Sequence, residues 1–218
     1  FRSTFVFYGL FAKYFLGEFP LIAEEFPEWF LAAALAGAIV VGVGVYDDAK
    51  GVSAWVKFPA QILAVSVIYW CTDLEISMIA HHFGGWIDFG PFTFLATIVW
   101  GVLLINAINL IDGLDGLAAG VVAISCVFLF IHDTLMGQTF HGVLILGLIG
   151  ACVGFLRHNF APARIFMGDA GAMFLGLMLA VFSMDQRVKG TTIVTLISPL
   201  LILGIPILDT SMAFLRRL

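Results

Sequence analysis

The sequence predicts an all-α polytopic membrane protein with about eight transmembrane helices. Composition gives the first reason: 61% of the residues are hydrophobic and only 11% charged, whereas a soluble domain carries about 25% charged residues. The second is a mean hydropathy of +1.08. The third is arrangement, because the apolar residues fall into runs and the charges collect between them. The formal net charge of -5 says little here, since in a membrane protein the placement of charges matters more than their sum.

Crossing a bilayer takes roughly 20 mostly apolar residues, with shorter spans tolerated. The runs that qualify lie near 3–17, 29–46, 57–72, 92–109, 118–133, 140–157, 170–184 and 193–214. The first link, Glu18 to Glu28, is acidic, with Glu24, Glu25 and Pro27. Asp47 to Val56 follows and carries Lys50, with Lys57 just beyond it. Cys71 to Pro91 is the longest link; its glycines and aromatics between His81 and Pro91 predict a small outward hairpin. Asn106 to Gly116 comes next, then a short link around His132, Asp133 and His141. Arg157 to Asp169 and Asp185 to Thr192 complete the series, and the chain closes on Arg216 and Arg217.

An even number of spans brings the links holding Asp47, Asp112 and Asp169 to one membrane face. Arg2, Lys50, Lys57, Arg157, Arg164, Arg216 and Arg217 fall on that face, Arg187 and Lys189 fall opposite, and Lys13 lies within a span. Positive charge favours the cytoplasm, so this face is expected to be cytoplasmic, in a multi-pass protein of the cell membrane. Trp29, Trp70 and Trp86 then belong near the opposite interface, with His81, His82, His132 and His141 read as loop or interface residues. Cys71, Cys126 and Cys152 have no metal-binding spacing and read as packing residues. No repeat or linker divides residues 1–218, which read as a single transmembrane domain. The start at Phe1, without a charged segment and cleavage site, reads as no signal peptide and as a chain incomplete at both ends.

The run Asn106-Ala-Ile-Asn109-Leu-Ile-Asp112-Gly-Leu-Asp115-Gly116 sits between two apolar segments. Polar side chains are expensive in a bilayer, so amides and carboxylates repeated every three residues mark a functional site. The two Asp-Gly pairs allow tight turns that bring carboxylate and ligand together. Asp47 and Asp48 form a second acidic motif; adjacent carboxylates repel, which suits a general base or a metal-assisted phosphate site, and Lys50 and Lys57 supply positive charge. In the third motif, Arg157 to Gly171, Asp169 opens an apolar run. There it could cap a helix, or its backbone neighbours could take an anion. Hard oxygen ligands without a His/Cys cluster point to Mg2+, with Mn2+ as the alternative.

Three motifs in this order carry a resemblance: Asp47-Asp48 with Lys57 and Gln61, Asn106 through Gly116, and Asn159-Phe-Ala-Pro-Ala-Arg-Ile-Phe166-Met-Gly168-Asp169-Ala-Gly171. The sequence resembles the polyprenyl-phosphate N-acetylhexosamine-1-phosphate transferases, over nearly its whole length and closest to the GlcNAc-type branch. One departure is Ala172, where the family usually has Ser. The resemblance implies transfer of a sugar-1-phosphate, GlcNAc-1-phosphate in this branch, from a UDP-sugar to a polyprenyl (undecaprenyl) phosphate, with release of UMP and use of Mg2+. It implies Asp169 as main metal ligand helped by Asn109 and Asp112, and Asp47 as the base activating the lipid phosphate. Asp48, Asp112 and Asp115 join the catalytic set by the same resemblance. Asp115, Asn159 and Phe166 would face the nucleotide and Lys57 a phosphate; Asn106 and His158 complete the expected substrate contacts. The expected partners are the UDP-sugar, the polyprenyl phosphate and the bilayer, with no nucleic acid and with a homodimer left open. Two other readings stand beside this one: a transporter with intramembrane carboxylates, and an inactive fragment of the transferase.

Overall fold

The structure, a computed structural model, describes residues 28–81, 85–135 and 139–184. Six helices run through them: α1 (Glu28–Lys50), α2 (Ala54–Cys71), α3 (Thr93–Ile111), α4 (Leu117–Leu135), α5 (Thr139–Asn159) and α6 (Gly168–Met184). Five are long and apolar enough to cross a membrane, and α6 is a shorter apolar helix of 17 residues. The all-helical membrane architecture is therefore as expected, and each described helix overlies one predicted span. The predicted spans 3–17 and 193–214 lie outside the described residues.

The helices extend further than the apolar runs suggest. α1 continues through Asp47 and Asp48 to Lys50, and α3 includes Asn106 and Asn109. Several polar residues assigned to links thus occupy the last turn of a helix, because backbone hydrogen bonding continues past the hydrophobic segment. The predicted hairpin forms slightly earlier than expected, with β1 (Met78–His81) pairing antiparallel to β2 (Gly85–Asp88). It stops short of Pro91 because Gly90–Phe92 forms a 3-10 turn leading into α3, a position where proline's missing N–H costs nothing.

α6 lies at the centre and packs against α1, α3 and α4, while α4 pairs with α5 and α2 bridges α1 and α3. Small residues line these contacts: Ala33, Ala36, Ala64, Ala118, Ala172 and Ala180 are buried. Association in lipid relies on such close backbone approach, since lipid tails compete equally for apolar surface. Leu31, Leu35, Leu95, Val99, Ile124 and Phe128 point outward, as expected of a lipid-facing surface. Trp70 is exposed at the hairpin end, where Tyr69, Trp70 and Phe94 make edge and tilted ring contacts, an arrangement suited to a membrane interface.

At that same end the structure corrects one expectation. His132 and His141 are not loop histidines: they lie on α4 and α5, 6% and 5% exposed, on either side of Asp133, which is 2% exposed. Asp133 accepts from both imidazole Nδ1 atoms, at 3.4 Å from His132 and 2.5 Å from His141. His141 also packs edge-on against Trp29 and Phe182. The apolar residues of α4 and α5 cover most of each helix, so periodicity could not show which side faces inward. A buried carboxylate that serves two donors contributes more than either bond alone. Asp133→Ala is therefore expected to cost about 1–3 kcal/mol of stability, read as a lower unfolding midpoint in detergent, with Asp133→Asn retaining part of the loss.

Candidate functional site

Turns 51–53, 112–116 and 160–167 all lie at the end of the bundle opposite the hairpin, and they gather the three acidic motifs. Lys57 is the meeting point. It sits in the first turn of α2, which Ser53 starts by accepting from Trp55 N at 3.4 Å. Its ammonium donates to Asp47 Oδ2 at the end of α1 and to Asp169 Oδ2 at the start of α6. The three side chains are 21%, 12% and 30% exposed, so water reaches the group without flooding it. The other oxygen of Asp47 accepts from Val52 N. Asp47 is thus fixed at both oxygens and oriented toward Lys57.

Asp48 is used differently. Its two oxygens accept from the backbone N–H of Asp169 (2.8 Å) and of Ala170 (3.2 Å). A carboxylate in this position satisfies free donors and matches the positive end of the helix dipole. The cap is closely fitted. Gly168 has φ +68°, where a side chain is strained, and a Cβ there would come within 2.8 Å of Asp48 Oδ2. A Cβ on Gly44 would lie 2.3 Å from Ala170 Cα. Without these glycines α1 and α6 could not approach closely enough for Asp48 to cap and for Lys57 to bridge.

Asp112 closes α3 as its C-cap and completes the acidic group. Burial, followed by the negative fields of Asp169 and Asp48, pushes its pKa up to about 6. Asp47, Asp48, Asp112 and Asp169 thus converge. Asn109, one turn before Asp112, is half-buried. Asp115 and Asn159 tie the second motif to the third: Asp115 Oδ2 accepts from Ala163 N at 2.9 Å, and Asn159 Oδ1 from Gly116 N at 2.9 Å. Asn159 Nδ2 donates in turn to Ile165 O at 2.8 Å. These bonds hold the 160–167 link over the 112–116 turn.

The remaining expected residues stand apart from the carboxylates. Asn106 exchanges hydrogen bonds with Gln61 one turn below the site. His158 and Phe166 are exposed, Phe166 by 79%, and among the described residues neither has a hydrogen bond or ion pair to the acidic group. Lys50 turns toward Tyr46, its Nζ 5.2 Å from the ring centroid, so Lys57 is the lysine placed among the carboxylates. Gly44 is absent from the motifs, and Gly168 and Gln61 stand in them without the roles the structure gives them, a close helix approach and a clasp on Asn106.

Among the described residues no three His, Cys, Asp or Glu side chains form a ready-made metal cage. Asp112, Asp169 and Asn109 nevertheless supply hard oxygen donors, and Asp169 and Asp48 add negative field at Asp112. That donor set fits Mg2+, which is commonly held by one or two carboxylates plus waters and substrate phosphates rather than by a cage. The carboxylates also lie at helix ends on one face, whereas a carrier places its ion site near the midplane on broken helices.

The sequence matches the description of glycosyl transferase family 4 over residues 30–186. A Bacillus subtilis protein named probable undecaprenyl-phosphate N-acetylglucosaminyl 1-phosphate transferase is 37% identical, across 91% of this chain and 56% of its own length. Decaprenyl-phosphate N-acetylglucosaminephosphotransferase of Mycobacterium leprae is 36% identical, across 86% of this chain and 52% of its own. Phospho-N-acetylmuramoyl-pentapeptide-transferase of Streptococcus thermophilus is 33% identical, across 91% and 60%. The chain thus spans between 52% and 60% of the length of these curated relatives.

The close approach of α1 and α6 is directly testable. Gly44→Ala places a methyl against backbone atoms that cannot swing aside. It is expected to cost about 1–3 kcal/mol, the range for overpacking, as a lower unfolding midpoint; Gly42→Ala, with open space around it, serves as the control.

Proposed function

This chain belongs to glycosyl transferase family 4, and on that premise we propose that the protein transfers GlcNAc-1-phosphate from UDP-GlcNAc to a polyprenyl phosphate, undecaprenyl phosphate in our reading, releasing UMP. The observation that carries this is the Lys57 ammonium shared by Asp47 and Asp169 at one end of the bundle, with Asp112 close enough to feel the charges of Asp169 and Asp48. Every lysine and arginine among the described residues (Lys50, Lys57, Arg157 and Arg164) lies at that end. The positive-inside rule therefore supports a cytoplasmic site in the cell membrane, where a nucleotide sugar is available. The names of the relatives support the acceptor class and the sugar.

Both substrates are anions, so the residues must relieve repulsion before chemistry can proceed. In our reading Asp47 accepts the proton of the lipid phosphate. An oxygen of that phosphate then attacks the sugar-bearing phosphorus of the UDP-sugar. A P–O bond to the lipid forms as the P–O bond to UMP breaks, and the leaving electron pair goes to UMP. Lys57, reached by both Asp47 and Asp169, turns its ammonium to the phosphates as charge accumulates there. Asp169, Asp112 and Asn109 are the residues that would hold a divalent cation, Mg2+ before Mn2+. Such a cation would neutralise charge on the diphosphate and on departing UMP. Asp48 sets the position of Asp169 through the α6 cap. Asp115 and Asn159 hold the 160–167 link, leaving the exposed ring of Phe166 to stack on the base and His158 to meet a donor phosphate.

The test uses full-length protein, radiolabelled UDP-GlcNAc and undecaprenyl phosphate, with and without Mg2+, scoring lipid-linked sugar and UMP. Mg2+-dependent formation of both products is expected. Asp169→Asn and Asp47→Asn are each expected to lower turnover by about 10^2- to 10^4-fold, the range for losing a proton-transfer group or a charge-stabilising one. Release of UDP in place of UMP would rule out sugar-phosphate transfer, and near-parental rates for either variant would remove that residue from the mechanism.

A further inference from the structure

A second polar layer lies one helical turn beneath the site. Gln61 follows Lys57 by four residues on α2, Met173 follows Asp169 by four on α6, and Asn106 precedes Asn109 by three on α3. Residues at these spacings stack on one helix face. The same three helices that present the site therefore meet again directly below it.

The contacts in this layer are reciprocal. Asn106 Nδ2 donates to Gln61 Oε1 at 2.6 Å, and Gln61 Nε2 donates to Asn106 Oδ1 at 3.4 Å. The second hydrogen of each amide is also used, Asn106 Nδ2 on Val102 O at 2.7 Å and Gln61 Nε2 toward Met173 Sδ at 3.5 Å. Gln61 is 1% exposed. Asn106 is half-buried, but Gln61, sealed inside a membrane-spanning bundle, has no water to turn to, so a slip of α2 against α3 leaves its amide unsatisfied. Apolar neighbours such as Val65 and Ile105 tolerate small slips, because dispersion contacts have no fixed direction. The amide pair does not.

We propose that Gln61 and Asn106 are positioning residues that lock α2, α3 and α6 in register, and so set the placement of Lys57 relative to Asn109, Asp112 and Asp169. The pair acts through the layer above it and does not contact substrate. A misplacement of about 1 Å at reacting groups can cost about a hundredfold in rate, so a lock this close to the site acts on turnover more than on binding.

The decisive variant is the near-isosteric double substitution Gln61→Met with Asn106→Leu in the full-length protein. It removes both polar partners together, so neither is left unsatisfied and the fold is retained. Expected are an unfolding midpoint close to the parent's, kcat lowered about a hundredfold and KM for UDP-GlcNAc changed less than about threefold. The single variant Asn106→Leu, which strands Gln61, is expected to lose stability as well as kcat. Register is read independently of turnover, from nitroxide labels at Trp55→Cys and Leu110→Cys on the exposed ends of α2 and α3, with Cys71→Ser in the background. One narrow distance distribution is expected for the otherwise unaltered protein and a broadened or shifted one for the double variant. Should the double variant not accumulate, Asn106→Ser, too short to reach Gln61, carries the same expectations for kcat and distance. An unchanged kcat or an unchanged distance distribution would overturn the proposal, as would an Asn106 variant that raises KM while leaving kcat intact. The turnover measurement rests on the transferase reading and the distance measurement does not. Absence of transfer by the parent protein would sink that reading alone, and the distances would still decide on the lock.

Discussion

The ammonium of Lys57 is the constraint on which the site depends. Carboxylates arriving from α1, from the end of α3 and from the start of α6 repel one another. Like charges that share one site oppose its assembly, less where water screens them. A cation shared by Asp47 and Asp169 converts part of that repulsion into attraction. Asp48 removes another share by turning both oxygens to the amides that open α6. Burial, and after it the fields of Asp169 and Asp48, raises the affinity of Asp112 for a proton. Asp112 lies one turn after Asn109, where the proposed cation would contribute.

Much of this organisation was legible in the sequence, because bilayer physics leaves few options. Long apolar runs become helices, and the number of runs between two motifs fixes whether they share a face. That Asp47, Asp112 and Asp169 share a face follows from counting alone. What counting cannot supply is the partner of each side chain. Asp47 and Asp48 are neighbours of the same chemistry, yet one faces an ammonium and the other a helix end. That difference is set by α6, more than a hundred residues away. Asn106 reads as a ligand contact in its motif because nothing local reveals that Gln61 lies opposite it. The burial of His132 and His141 is hidden for a related reason: helices apolar on all sides carry no periodic signal of which face turns inward.

The two ends of the bundle treat charge in contrasting ways. At the hairpin end Asp133 is sealed among His132, His141, Trp29 and Phe182, with ring contacts excluding water. At the other end the charged groups remain partly wet and are held from several directions at once. The first arrangement fastens α4 to α5 through a fixed polar contact. The second keeps acidic groups near neighbours that an incoming anion or cation could replace. The glycines at positions 44, 168 and 176 belong to this division, because they let the central helix approach α1 and α3 without intervening side chains.

The cap of α6 has its own consequence. Asp48, which supplies it, lies 121 residues before Asp169 in the chain, so the amides of Asp169 and Ala170 gain that partner only once α1 has docked against α6. Completing the first turn of the central helix and completing the site are therefore one event, and a bundle assembled only in part holds neither.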